Sequence, residues 1–391
     1  MPQFTRIINL ENYFLLVIFL LPVYLLRFSI FKLPENFWEI LALVAIVLAL
    51  RKKYKNVIFS EYDKKIFILS LLILFGLILG MIKNGNYPVG LGIIKSWLVV
   101  PFAFAFFAGK IVKNESRAYF SLYLSIVGVA IVALIYKILG VVTFDGRLES
   151  IFNSPNYLAM YLGPGIIIGA VIYGKNQKSE IKKENNNSKL QIIGSISFLA
   201  IVAVLYFTYS YAAWISLIVT SIIILAINKK LSKKYFYILA LIFLTLIFII
   251  RGTAKFDDLV NYNSRSSLAS RIMIWQSAGK ILGDNYFLGI GPGDFQEKYL
   301  EYQKYFPPYL EWAVPHPHNI FLAFWLNAGL FGLLAFCAVL YIFFKKKLYS
   351  NFNYISLISI GIVIYFLFHG LVDTTYFKND LATYFWLAVF I

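Results

Sequence analysis

Two of the chain's three histidines, His316 and His318, stand two residues apart in PHPHN at the mouth of a long apolar run. An imidazole is the side chain best suited to take up a proton near neutral pH. Pro315 and Pro317 restrict the backbone on either side of the pair. An interfacial histidine bonded to a carbonyl is the plainer reading. Against it stand the pairing, the prolines and a preceding stretch that carries Arg251, Lys255, Arg265 and Arg271. A metal reading would join His316 and His318 to Glu311, but no third ligand follows at a helical spacing, so no metal is expected. Cys337 is the only cysteine, which excludes a disulfide framework and a cysteine-based metal site.

Apolar elements must position these groups. Of 391 residues 60% are hydrophobic and 14% charged, a composition of membrane proteins and not of a water-exposed fold. Apolar runs recur near 13–30, 34–50, 65–82, 91–109, 117–140, 156–173, 191–209, 211–228, 236–250, 318–344 and 353–371, with an apolar stub at 381–391. The pattern predicts an all-α polytopic membrane protein of about twelve transmembrane helices. The first run lacks a small-residue cleavage site, so it reads as a permanent helix. The final stub covers eleven residues, where a full crossing needs about twenty.

Lysine and arginine collect in 51–65, 110–117, 175–189, 229–234 and 345–347. If the helices simply alternate, these segments share one side, which the positive-inside rule makes cytoplasmic. The N-terminus is then cytoplasmic, and the net charge of +17 reflects topology and attraction to anionic lipid, not nucleic-acid binding. Residues 1–251 carry nine helices, 252–317 form one large extracytoplasmic loop, and 318–391 carry the last three. Within the loop, Leu268, Ile272, Trp275, Gly279 and Leu282 follow helical spacing and predict an amphipathic helix at the interface, capped by Ser266 or Ser267, with Arg271 at the edge of its stripe. The turn at Gly289, Gly291, Pro292 and Gly293 is neither a Walker loop nor GxGxxG. It reads as a tight re-entry turn, with an anion nest of backbone amides as the alternative.

His318-Asn319, nine residues, Gly329, two residues and Gly332 together resemble the signature histidine motif of the bacterial O-antigen ligase family. GRLESIFNSPNYLAMYL (146–162), with Arg147, Asn153 and Asn156, is similar to that family's arginine and Asn-Pro-Asn segment. SRIMIWQSAGKIL with NYFLGIGPGDF resembles its arginine-bearing helix and Gly-rich turn, and HGLVDTTYFKNDLATYFW (369–386) resembles its closing segment. The resemblance spans about 140–391. One departure is Tyr211, which follows Ser210 where many relatives carry an arginine. Tyrosine supplies no fixed charge, so Arg147, Arg265 or Lys95 would have to substitute, or the donor is handled differently.

The resemblance implies a GT-C-like glycosyltransferase of the bacterial cytoplasmic (inner) membrane, working on its periplasmic or outer side in surface polysaccharide and lipopolysaccharide assembly. It implies transfer of a glycan from undecaprenyl diphosphate to a sugar hydroxyl of a lipid acceptor, without metal or other cofactor. His318 then removes the hydroxyl proton, and Arg271 stabilises the departing diphosphate. Arg147, Arg265, Asn153, Asn156, Asn319, His316 and Asp373 are the expected substrate-binding residues. Four of these residues have a plainer role available: Arg271 as an interfacial anchor, Arg147 with Glu149 as an exposed pair, and Asn153 or Asn156 as a helix cap. Lys95, an ionisable group inside an apolar run, is a functional candidate or a snorkelling lysine. A repeat-unit polymerase of the same superfamily is the first alternative. A lipid-linked oligosaccharide flippase or secondary transporter is the second, although no repeat with paired broken helices is visible.

Overall fold

The computed structural model describes residues 9–30, 33–51, 59–176, 186–228, 267–307, 312–349 and 352–391. The run at 236–250, Arg251, Lys255, Arg265, Ser266 and Glu311 lie outside these residues.

The described chain is helical apart from one hairpin. Helices α1 (Leu10–Phe19) and α2 (Phe37–Arg51) flank that hairpin, and α3 (Glu61–Asn84), α4 (Tyr87–Ile111) and α5 (Glu115–Ile138) follow. Then come α6 (Pro155–Asn176), α7 (Asn186–Phe207) and α8 (Tyr211–Ile227). The last group is α9 (Ser267–Asp284), α10 (Phe295–Tyr302), α11 (Ile320–Tyr349), α12 (Tyr354–His369) and α13 (Asn379–Phe390). Among the described residues five helices are long and apolar enough to cross a membrane: Glu61–Asn84, Tyr87–Ile111, Glu115–Ile138, Pro155–Tyr173 and Ile320–Tyr349.

The run at 13–30 does not form one long helix. It breaks after Phe19 into a 3-10 turn, Leu21–Leu25, because Pro22 has no N–H to continue an α-helical ladder. The chain then forms β1 (Arg27–Ile30) and β2 (Leu33–Asn36), with Arg27 opposite Asn36 and Phe28 opposite Glu35. This antiparallel hairpin is the one exception to the all-α expectation among the described residues.

Helices α3 and α11 pack closely because Gly76 and Gly80 present no side chain to the backbone of Asn327 and Ala328. Halfway along this contact α11 is interrupted: Gly329 has φ 69° and ψ −175°. The freed groups are taken up by the Gly-rich turn. Ile290 and Gly291 donate to the Leu326 carbonyl at 2.8 and 3.1 Å, and the Leu330 N–H donates to the Phe287 carbonyl at 3.0 Å. Gly289, Gly291 and Gly293 all have positive φ, and a methyl at Gly289 would collide with the α11 backbone. The turn therefore repairs a broken helix. The amides of Gly289, Ile290 and Gly291 are spent on Asn285 and Leu326, which removes them from an anion nest.

Helix α9 buries a face turned from the predicted one, of whose residues only Leu282 is buried. Ser270, Met273, Ile274, Ser277, Ala278 and Ile281 turn inward, while Leu268, Ile272 and Trp275 stay half-exposed and Gly279 is exposed. Small residues allow close packing on a local core of Ile290, Phe295, Tyr299, Val314 and Leu326, so side-chain size and not hydrophobicity alone set the rotation of the helix. Helix α13 is enclosed by protein, with every residue from Asn379 to Val389 buried. It packs on α4, α12 and α6, so its twelve residues meet other helices and need not span a bilayer alone.

Candidate functional site

His318 closes the segment that runs into α11. Its backbone lies in the left-handed region at φ 46°, a conformation that costs a non-glycine residue about 1–3 kcal/mol. Asn319 caps α11 by accepting from the Phe321 and Leu322 amides at 3.0 and 3.1 Å, and its own amide donates to the Leu371 carbonyl at 3.0 Å. The Ile320 N–H donates to the Gly370 carbonyl at 2.7 Å. Trp275 of α9 donates its indole N–H to the His318 carbonyl at 3.3 Å. Three elements thus hold the strained residue: α9, α11 and the 370–378 segment.

That segment carries Asp373, which is 2% exposed. His318 Nδ1 lies 3.0 Å from Asp373 Oδ1, and the Thr374 amide donates to the same oxygen at 2.9 Å. Burial alone would raise the Asp373 pKa, but His318 and Arg271 together hold it well below the usual carboxylate range. An ionised Asp373 accepts a hydrogen bond, so Nδ1 of His318 carries the hydrogen and, in the neutral ring, Nε2 holds the lone pair. This is the tautomer a general base requires.

Arg271 reaches the same corner from α9. Its Nε donates to the Val372 carbonyl at 2.6 Å, Nη1 bonds Ser267, and Nη2 stands 3.8 Å from Asp373 Oδ2. The guanidinium therefore does not lie along an interface as the sequence suggested. It is 16% exposed, and the fork grips the backbone while Nη2 remains at long range from its acid.

Arg147 occupies the 139–154 segment between α5 and α6. Its Nε donates to the Thr208 carbonyl at 2.8 Å and Nη2 to Asn156 Oδ1 at 2.7 Å, and Asp145 lies 4.0 Å from Nη1. The acid beside it is thus Asp145, not Glu149. Burial and the nearby Arg271 pull its pKa below the ordinary value, against Asp145, Asp373 and Tyr211. Arg147, Arg271, Asp373 and Tyr211 accordingly share one electrostatic neighbourhood. Ser150 and Tyr209, in the segments that carry Arg147 and Thr208, also have positive φ, at 54° and 47°. Asn153 is exposed in the turn ahead of α6. The first turn of α6 is bonded by Ser154, whose Oγ accepts from the Asn156 amide at 3.2 Å, and not by Asn153 or Asn156.

His316 is half-buried beside Trp97, with ring centroids 6.1 Å apart. Desolvation, with His318 and Lys378 nearby, pushes its pKa down to about 4, so the ring is neutral near pH 7. Lys95 does not snorkel alone. It bonds Glu35 at 2.7 Å and Glu39 at 2.9 Å from within a π-helical turn, Lys95–Val99.

Residues 196–337 match the family model described as O-Antigen ligase. The O-antigen ligase resemblance is thereby shown. No curated protein gives a match. The matched stretch is similar to that family and contains both Arg271 and His318, and the apolar helices around it point to a membrane-embedded protein. Arg147, Asp373 and the 370–378 segment lie outside it and are joined to it by the bonds above.

Two groups at this corner escape sequence reasoning. His369 is fully buried; its Nδ1 lies 3.0 Å from the Tyr365 hydroxyl, which donates to the Ala159 carbonyl at 2.9 Å. The side chain of Lys378 lies over the Tyr157 ring, 3.0 Å from its centroid, and burial pushes its pKa down to about 8. The only sequence signal for His369 was its presence in HGLVD, four residues before Asp373, and a lone lysine before α13 gave none.

Proposed function

We propose that this protein transfers a glycan from undecaprenyl diphosphate to a sugar hydroxyl of a lipid acceptor. The observation that carries the reading is the bond from His318 to a buried, ionised Asp373 that also faces Arg271. Nε2 of His318 takes the proton of the acceptor hydroxyl, whose oxygen bonds to the anomeric carbon as the bond from that carbon to the phosphate oxygen breaks. The negative charge grows on the departing diphosphate, where Arg271 and Arg147 stabilise it. The proton leaves His318 for solvent or for the released diphosphate, and no group other than donor and acceptor is consumed. Asp373 holds the ring and offsets the imidazolium that forms.

Tyr211 supplies no cation where many relatives have arginine, and Arg147 beside it supports substitution by that residue. Lys95 is committed to its two glutamates. Arg265 lies outside the described residues. The positive-inside rule assigns the His318 end of the bundle to the outer face of the bacterial inner membrane. Asn156 and Asn319 support the site by holding Arg147 and the start of α11, and Asn153 is free to meet substrate.

The test is transfer by the purified protein in nanodiscs from a fluorescent undecaprenyl-diphosphate oligosaccharide, compared with His318→Ala. Loss of transfer with unchanged thermal unfolding supports the base, and transfer at the native rate removes it. A product extended by one repeat unit identifies a polymerase, and a glycan on a different lipid identifies a ligase. Movement of intact donor across proteoliposomes without cleavage would make the protein a transporter.

A further inference from the structure

Beside His316 lies a cleft of about 240 Å³ lined by Arg27, Glu35, Asn36, Ser96, Trp97 and Asn379, among others. It joins the N-terminal hairpin, the π-helical turn of α4 and the first residue of α13, three elements distant in sequence. Beneath it Glu39 has no solvent exposure. One of its oxygens accepts from Asn379 Nδ2 at 2.5 Å and the other meets Lys95 Nζ at 2.9 Å, while Lys95 also binds Glu35 at 2.7 Å. Burying an ion pair contributes little net stability, so this network acts mainly to fix the cleft wall. π-helical turns interrupt a helix at some cost and gather at functional sites.

The lining has the chemistry of a polyol site. Trp97 offers a flat ring for the C–H face of a pyranose. Asn36 accepts from the Glu39 amide at 2.9 Å and keeps its own NH2 as a donor. Asn379 spends its NH2 on Glu39 and keeps its carbonyl as an acceptor. Glu35 and Ser96 add a carboxylate and a hydroxyl. At this volume, near the lower end of ligand pockets at about 300 Å³, the cleft holds one sugar ring and not an oligosaccharide.

The placement selects the substrate. Trp97 packs against His316 at 6.1 Å and Phe377 at 5.6 Å, whereas Arg271 and Arg147 bond Val372, Ser267, Thr208 and Asn156. The diphosphate belongs with Arg147 and Arg271, so the cleft on the His316 side suits the sugar that carries the attacking hydroxyl. The geometry points to this cleft as the subsite for the terminal pyranose of the acceptor. The inference rests on the transfer reaction proposed above.

The test reads binding and turnover separately. Saturation-transfer NMR on the full chain in nanodiscs, with a panel of methyl pyranosides as probes, should show a ring bound by the native protein and by His318→Ala. Trp97→Ala should abolish the signal, and Glu35→Gln and the milder Trp97→Phe should weaken it. In the transfer assay Trp97→Phe and Glu35→Gln should raise the acceptor KM by about tenfold, the cost of one stacking or hydrogen-bonding contact, with the donor KM unmoved. Sugar binding without transfer by the native protein would keep the cleft and remove the reaction. Transfer with an unchanged acceptor KM in both mild variants, a raised donor KM, or no pyranoside signal from the native protein would overturn the subsite.

Discussion

Two buried aspartates at opposite ends of the bundle do different things. Asp63 belongs to a capping box at the start of α3: it accepts from the Ser60 amide at 2.9 Å, Ser60 Oγ accepts from its N–H at 3.1 Å, and Lys110 bonds it at 2.5 Å. Its partners close a helix end with backbone in ordinary conformations. Asp373 instead holds a histidine at positive φ and stands near an arginine whose other donors are committed elsewhere, and its Oδ2 has no hydrogen bond among the described residues. An acid whose partners finish a helix serves the fold. An acid whose partner is a titratable ring is the candidate for chemistry.

The largest effect that tests this contrast is on turnover. Replacing His318 with Ala should lower kcat about 10²–10⁴-fold, the usual worth of a positioned base. Asp373→Asn should lower kcat with little change in KM, because the amide no longer fixes the ring's tautomer. Asp63→Asn should leave kcat unchanged. Equal losses for the two aspartates in a transfer assay would erase the distinction.

Next in size is the helix break that seats the His318 end. Gly329→Ala places a side chain at φ 69° against the Phe287 carbonyl, and should lower stability by about 2–4 kcal/mol, read as a fall in thermal midpoint. Arg271→Lys should follow, with kcat down by about tenfold to a hundredfold, because lysine cannot bond Val372 and Ser267 and still face the diphosphate. A gain in KM alone would make Arg271 a binding residue only.

The pH dependence of stability gives a smaller, signed effect. His316 is displaced from 6.5 to about 4 in the folded chain. Between those values the unfolded chain binds the proton and the folded one does not, so stability falls as pH drops from about 6.5 towards about 4 and levels off below. Asp373, depressed in the fold, adds a loss of the same sign from its usual value near 4 downwards. His316→Gln should lessen the slope of thermal midpoints in the upper window, and an unchanged slope would assign the effect elsewhere. The smallest change is Ser60→Ala, about 1 kcal/mol from a lost cap with no effect on transfer.

Much of the helical plan was legible because apolar runs of spanning length have few other uses: those at 65–82, 91–109, 117–140 and 318–344 all fall on long apolar helices. His318, Arg271, Arg147 and Asp373 were legible as residues, since fixed charge and imidazole stand out in a hydrophobic chain. Their relations were not. The first run broke at Pro22, the buried face of α9 combined small residues with Met273, Ile274 and Ile281, and Lys95 met Glu35 on the hairpin and Glu39 in α2, both more than fifty residues earlier.

The sequence by itself determined a hydrophobic helical chain, the types of group available for proton and anion chemistry, and the family resemblance of its 196–337 stretch. Only the tertiary structure decided which acid meets which base. His318 and Asp373 are 55 positions apart and Arg271 and Val372 are 101 apart, separations over which no local periodicity operates. Helix packing, a break at one glycine and the turn that repairs it bring them together, and those depend on shape and backbone hydrogen bonding across the whole bundle.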